Sequence, residues 1–516
     1  MADSAMASAR TARQPTDQRE ALRTAVMAGP AGFAVLDEQV TGRLWPVLVD
    51  PEMIGQALAA AGHVDTRRRV LTGMVTTMVV LGLCLFRHEG TAVVTVRVTS
   101  RVPRTRVEGT PSAAAVSKAR ARLSAAVMRQ VFTASAQVVP ATGPGCYAFG
   151  LLVTAVDGTV FDLADTDQMR AGFTTPPGGR FPQARMVALV ACGTRWVLAA
   201  RVDSSGVSEQ ALADRLIDEL RPGTVNLADR GLCSMDRWVR AAASGAQLVW
   251  RVKNGARSLP ARLVEVLPDG SAQVRLVESD AMLSRRRKAT GDRKAPRLRP
   301  VTARLVELTV TSRDRSARTR TSRYRVLTTL LDHHRYPASQ IAALYAERWQ
   351  VELVYGRLKT TLREPGTRLR GQTPELAYQE LWALLAIYNA LVRLAVTTAV
   401  DLKVDPDAVS FTAVLVLTRN HLAAERGACP HCGHRDPDPA TTLTAAIAAQ
   451  PRNRHTRTRT GPRTAAQRRT ERTRDVTYEI TITPPDLPKE TKRVRLFRSE
   501  DLAAHSPNLV TCRSRE

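Results

Sequence analysis

In the first quarter of the chain, apolar residues recur at the three- and four-residue spacing of helices packed on one face. The pattern predicts helices over residues 51–61, 66–86 and 112–131, the last opening with Pro111 and Ser112 in capping positions. From residue 151 the rhythm changes. An apolar run over 151–156 stops at Asp157-Gly158, and β-rich runs at 186–192 and 196–202, joined by Gly193-Thr194, predict a hairpin. Helical period returns at 208–220. A short strand at 225–228 ends on Asp229-Arg230-Gly231, and a helix at 235–243 precedes a strand at 247–253. Three antiparallel strands followed by helix, strand, helix and strand predict an α/β sheet covered by helices.

Between residues 254 and 332 the period falls to two. Strands are expected at 263–266, 272–277, 305–311 and 323–329, with Pro268-Asp269-Gly270 as a hairpin turn and a basic, irregular linker at 284–299. A helix over 344–359 follows, entered through Pro337 and Ser339 and stopped by Pro365-Gly366, and apolar helices follow at 374–398 and 410–422. From residue 451 the chain is rich in Arg and Thr with little to bury. Most of it is expected to be disordered, apart from a β-like run at 478–483. The resulting division is a disordered start (1–20), a helical N-terminal domain (21–140), an α/β domain (141–400) with a β-rich insertion at about 254–332, a helical region (401–450) and a basic tail (451–516).

Charge adds a partner. The net charge is +27, and 67 of the 75 basic residues are Arg, which grips phosphate in planar, bidentate fashion. That excess points to nucleic acid first and acidic membrane second. The apolar run at 73–86 is short for a membrane span, and the run at 381–400 carries Asn389 and Arg393; both read as buried helices, so no membrane partner is expected. The first residues lack the apolar core of a signal peptide, and seven cysteines, mostly in apolar segments, suit reduced thiols. The expected compartment is the cytoplasm.

The helix over 344–359 carries the candidate chemistry. At 100° per residue, Tyr345, Arg348, Glu352 and Lys359 fall within a sector of roughly 60°. One carboxylate, two cations and a phenol on one face suit a metal and phosphates, although a solvated face with an Arg348–Glu352 ion pair has the same spacing. Asp157 and Asp229 end expected strands, at the sheet edge where reactive groups are presented; both also fit plain turns. Three converging carboxylates need a cation, and hard oxygen ligands select Mg²⁺ or Mn²⁺. Two such ions roughly 4 Å apart can activate a water or a 3′-hydroxyl for in-line attack on phosphorus. Separately, Cys429-Pro430-His431-Cys432-Gly433-His434 is half of a zinc site, with His421 as a further candidate ligand; a polar loop with two free thiols fits equally.

These residues resemble those of the bacterial insertion-sequence-four transposases. The spacing Tyr345, Arg348, Glu352, Lys359 matches that family's Tyr-(2)-Arg-(3)-Glu-(6)-Lys signature, and AVDGT around Asp157 and LADRG around Asp229 match its two aspartate motifs. LPDGS at 267–271, YRVLTTLLD at 324–332, QELWALLAIYNALVR at 379–393 and PSAAAVSKARARL at 111–123 are similar as well, so the likeness covers about residues 40–400. It implies a ribonuclease-H-like catalytic core with a β insertion after the second aspartate, preceded by a helical DNA-binding domain. It implies that Asp157, Asp229 and Glu352 hold two divalent metals, with Tyr345, Arg348 and Lys359 on DNA. It further implies a cut-and-paste reaction on terminal inverted repeats and target DNA, carried out by a homodimer. The alternative is a catalytically idle DNA-binding descendant. Some relatives hold a flipped base with a tryptophan from the insertion. No Trp lies in 254–332, so any hairpin step falls to Tyr324 or another group.

Overall fold

The computed structural model describes residues 48–66, 70–99, 111–137, 144–253, 260–313, 319–364, 366–424, 439–453, 477–485 and 487. Helices come first: α1 (Pro51–Ala60), α2 (Gly73–Leu85), α3 (Thr91–Thr99), α4 (Ala113–Arg122) and α5 (Ala125–Gln137). Side-chain caps start several of them. Asp50 accepts from Glu52 N at 2.9 Å, Thr72 from Val75 N at 3.2 Å and Ser112 from Ala115 N at 3.2 Å. The expected helix over 112–131 is two helices, because Leu123 leaves helical geometry. Contacts from far along the chain hold that break open: Glu375 accepts from Ala125 N at 2.6 Å, and Gln379 Nε2 donates to Leu123 O at 2.7 Å. Among the arginines of the N-terminal helical part, Arg67, Arg68, Arg69, Arg104 and Arg106 lie outside the described residues. Arg120 is buried and donates to Gln379 Oε1, while Arg122 is exposed.

The next strands and helices are β1 (Tyr147–Ala148), β2 (Leu151–Asp162), α6 (Asp167–Gly172), β3 (Gln183–Ala191), β4 (Trp196–Ser204), α7 (Glu209–Asp214), β5 (Thr224–Ala228), α8 (Met235–Ala243) and β6 (Gln247–Val252). They are followed by β7 (Ala261–Val266), β8 (Ala272–Leu276), α9 (Asp280–Thr290), β9 (Val301–Arg313) and β10 (Thr319–Thr328). Among the described residues, all the strands belong to one mixed sheet of eleven strands in the order β4-β3-β2-β5-β6-β10-β9-β8-β7, with β1 on β2. The pairs β2–β5 and β5–β6 are parallel and the others antiparallel. The β-rich stretch after residue 254 therefore extends the same sheet through the β10–β6 pair. The first half of the linker expected to be irregular, up to Thr290, is the end of α9. Ser279 caps that helix, Gly291 closes it at a left-handed φ of 74°, and Arg286 pairs with Glu278 at 2.8 Å.

The chain then forms α10 (Ala338–Ala346), α11 (Trp349–Gly356), a π-turn (Arg357–Leu362), α12 (Pro374–Asp401), α13 (Phe411–Ala424), α14 (Pro439–Ala448) and β11 (Thr477–Thr483). The β-like run of the tail pairs antiparallel with β9, Thr477 opposite Arg313 and Thr483 opposite Glu307. Helix α12 is long and apolar enough to cross a membrane, yet 83% of its most apolar window is buried inside the protein. One apolar cluster joins α1–α5, one sheet face and α10–α14, so the N-terminal helices share their core with α12; α7 and α8 cover the other face. Buried Glu380 of α12 pairs with Arg87 and accepts from Arg370 N at 2.8 Å, tying the end of α2 to the segment before α12.

Candidate active site

Strand alternation decides which way the acids point. On β2, Val153, Ala155 and Phe161 belong to the core under α10–α12, so Asp157 shares that face; on β5, Val225 and Leu227 do, so Asp229 shares it too. The parallel register then sets the two acids level. Val156 lies opposite Ala228, the last residue of β5, and Asp157 and Asp229 follow them directly. Asp157 was expected at a strand end, but β2 runs on to Asp162. Its ladder with β5 stops at Val156, while the ladder with β3 continues through Gly158, Thr159 and Val160. The Asp-Gly pair is thus a point where one flank of a strand opens, not a turn. Asp162 is the last residue of that strand.

The expected single helix over 344–359 is likewise two helices and a π-turn. Tyr345 lies in α10, Arg348 in the bend, Glu352 in α11 and Lys359 in the π-turn. Three of the four still converge. Arg348 Nη1 donates to Asp157 Oδ2 at 2.7 Å and Nη2 to Glu352 Oε1 at 3.3 Å, while Tyr345 donates to Asp229 Oδ1 at 3.3 Å. Lys359 does not join them. Its ammonium lies 5.2 Å from the centre of the Phe161 ring, alongside Arg363 and Asp162, because the extra residue of the π-turn rotates it away from the face of Glu352. Burial and Arg363 lower the Lys359 pKa.

Two further contacts complete the constellation. Tyr355 donates to Asp157 O at 2.5 Å, which anchors α11 to β2, and Arg251 of β6 approaches Asp229 Oδ1 at 3.4 Å. Burial raises the Asp157 pKa despite Arg348 and the Gly158 N–H. At Asp229 burial also works upward, but Arg348, Arg230 N–H, Arg251 and Tyr345 outweigh it and hold the carboxyl below its ordinary value. Burial likewise raises Tyr345, so the phenol keeps its proton at any working pH. Burial works downward on Arg348, but Asp157, Asp229 and Glu352 outweigh it, and the guanidinium remains a fixed cation.

A fourth carboxylate stands beside these, and sequence reasoning missed it. Glu209 approaches from α7, on the other layer, through the gap left by Gly158; a Cβ there would come within 2.6 Å of Glu209 Oε1. Burial and Asp157 raise its pKa, with Arg185 opposing and Asp229 adding to the rise. Its only local signal was Ser208 as a helix cap.

Among the described residues, no three acidic, imidazole or thiol groups lie close enough to hold a metal as they stand. Arg348 bridges Asp157 and Glu352 in this arrangement. The donor set itself is all carboxylate, which suits Mg²⁺ or Mn²⁺ and not a thiolate-seeking metal. The zinc candidates Cys429, His431, Cys432 and His434 lie outside the described residues, and His421 Nδ1 contacts Leu417 O at 2.9 Å within its own helix. Tyr324, the aromatic candidate for holding a base, is 6% exposed beneath the Arg251 guanidinium, 4.2 Å from its ring centre, so no base can stack on it there.

Comparison with known proteins names the class. Residues 148–390 match the family model for the transposase DDE domain, and residues 42–133 match the insertion element 4 transposase N-terminal model. The chain is 30% identical over 390 residues to transposase InsG for insertion sequence element IS4 of Escherichia coli strain K12, covering 74% of this chain and 83% of that one. A piggyBac transposase solved in a synaptic complex with hairpin DNA aligns over 78% of this chain and 80% of its own at 10% identity and a TM-score of 0.37, too loose a likeness to add to the argument. The chain is a DNA transposase of the DDE class, a DNA-binding enzyme of strand cleavage and transfer. It belongs to the IS4 family.

Proposed function

We propose that this transposase excises and reinserts an insertion sequence by cut-and-paste, acting on terminal inverted repeats and then on target DNA as a homodimer in the cytoplasm. The catalytic core is ribonuclease-H-like. The order β4-β3-β2-β5-β6, with the first three strands antiparallel and the last two pairs parallel, supports this. Residues 21–140 read the DNA ends, and the basic tail beyond 451 adds phosphate contacts.

Asp157, Asp229 and Glu352 are the catalytic acids and would hold two Mg²⁺ or Mn²⁺ ions. When bound, such ions supply an activated water or 3′-hydroxyl and stabilise the leaving oxygen. The chain's own residues do the positioning. Tyr355 fixes α11 against the backbone of Asp157, and Tyr345 orients the Asp229 carboxylate. Arg348, bridging two acids here, is placed to exchange a carboxylate for a DNA phosphate, since a guanidinium binds either in the same fork. Lys359 meets the DNA backbone at a distance from the acids, over Phe161.

One observation carries the reading. The β2–β5 register sets Asp157 beside Asp229, and Arg348 joins Asp157 to Glu352. The test incubates labelled end duplexes with Mg²⁺ and the wild type, Asp157→Asn, Asp229→Asn or Glu352→Asn. Cutting by the wild type alone, with end binding kept in all four, is expected. Binding without cutting even by the wild type would make the protein an idle descendant, and cutting by the variants would remove these acids from catalysis.

A further inference from the structure

The carboxylate of Glu209 has no place in the three-acid scheme, yet it lies against it. It rises from α7, a helix that packs on the opposite sheet face through Leu212 and Ala213, and its carboxyl lies against Gly158, the neighbour of Asp157, and accepts from the Gly158 N–H. At Gly158 a methyl group would fall 2.6 Å from Glu209 Oε1 and 2.8 Å from its Cδ, so any other residue would push the carboxyl aside. Gly158 follows Asp157 directly, at the point where β5 leaves the β2 flank open.

The charges are arranged unevenly. Arg348 lies between Asp157 and Glu352, and Arg251 lies beside Asp229. On the Glu209 side the opposing cation is Arg185, whose Nη1 is engaged with Val207 O at 2.7 Å. Like charges this close are tolerated when a shared cation sits among them.

We propose that Glu209 is a fourth carboxylate of the metal centre, which would help Asp157 and Asp229 to hold a divalent ion. This rests on the metal reading of the three acids and adds a ligand to it. Gly158 is part of the device, since it alone leaves room for the fourth acid.

The experiment measures Mn²⁺ binding to the full chain in complex with an end duplex, from the loss of the free-ion electron paramagnetic resonance signal, together with melting temperature with and without Mn²⁺. Glu209→Gln keeps the shape and removes the charge. It is expected to weaken Mn²⁺ binding about tenfold or more, to shrink the Mn²⁺-induced rise in melting temperature, and to leave or raise the metal-free melting temperature because a like charge is gone. Asp218→Asn, on an exposed turn of the same region, is expected to bind as the wild type does. Unchanged Mn²⁺ affinity in Glu209→Gln, with affinity lost in Asp157→Asn, would overturn the role of Glu209 and spare the three-acid centre. Unchanged affinity in both would overturn the metal reading itself. A lower metal-free melting temperature with normal Mn²⁺ affinity would reduce Glu209 to a structural residue.

Discussion

Replacing Asp269 with alanine should strand a guanidinium that water cannot reach. Arg304 is 0% exposed. It donates to Ser271 Oγ at 2.8 Å and Tyr336 O at 2.5 Å, and its only carboxylate partner among the described residues is Asp269. The same carboxylate accepts from Ala338 N at 2.8 Å, the first amide of α10, whose N-cap Pro337 offers no side-chain acceptor. Removing one partner of a buried pair costs about 3–5 kcal/mol, and losing a helix cap about 1 kcal/mol. Asp269 itself keeps some solvent contact, which places the expected total near the low end, about 3 kcal/mol.

Urea unfolding followed by tryptophan fluorescence measures the loss directly. The double variant Asp269→Ala/Arg304→Met removes the stranded charge and should recover part of it. Acid supplies an independent check. Burial works upward on Asp269, but Ser271, Ala338 N–H and Arg304 outweigh it and hold its folded pKa below the ordinary value. An acid with a depressed folded pKa gives stability that is present above about pH 4 and lost as pH falls through the folded value. The wild type should therefore lose stability on acidification more steeply than Asp269→Ala. Because Ala338 opens the helix leading to Tyr345, Arg348 and Glu352, cleavage should fall as well. A loss under about 1 kcal/mol, with cleavage intact, would refute the view that this turn anchors the catalytic helices.

Arg348→Ala and Lys359→Ala should each weaken binding to end and scrambled duplexes alike, since phosphate contacts carry no base information. Only Arg348→Ala should also slow cutting within the bound complex, because Lys359 lies with Phe161 and not with the acids; gel shift and single-turnover cleavage separate the two, and equal slowing by both would contradict the geometry. Truncation at 451 should lower the melting temperature and solubility by exposing the β9 edge that β11 covers, whereas truncation at 489 should only flatten the salt dependence of DNA binding. Equal melting temperatures for the two truncations, read by differential scanning fluorimetry, would show that β11 contributes nothing to the fold.

What was legible in the sequence follows the range of the forces involved. The helix at Met235–Ala243 and the hairpin strands β3 and β4 were readable because local period and turn chemistry decide them. Asp157 and Asp229 were found from the motifs, but their level placement depends on the β2–β5 register, which joins residues some seventy positions apart. A fixed 100° per residue brought Lys359 onto the face of Glu352; the π-turn that begins after Glu352 breaks that assumption and separates them. Helix α3 is rich in Val and Thr and carries no helical signature of its own, yet Val94 and Val98 bury against the core and tertiary packing prevails. β11 needs the edge of β9, and Glu209 needs Gly158, so neither pairing exists in any local window.

The most direct test of the central claim is an anomalous difference map from crystals of the protein with its end duplex and Mn²⁺. The account predicts two manganese peaks ligated by Asp157, Asp229 and Glu352, with Arg348 withdrawn from the carboxylates to a phosphate. Peaks held by other residues, or the three carboxylates free of metal and still bound by Arg348 and Tyr345, would contradict it.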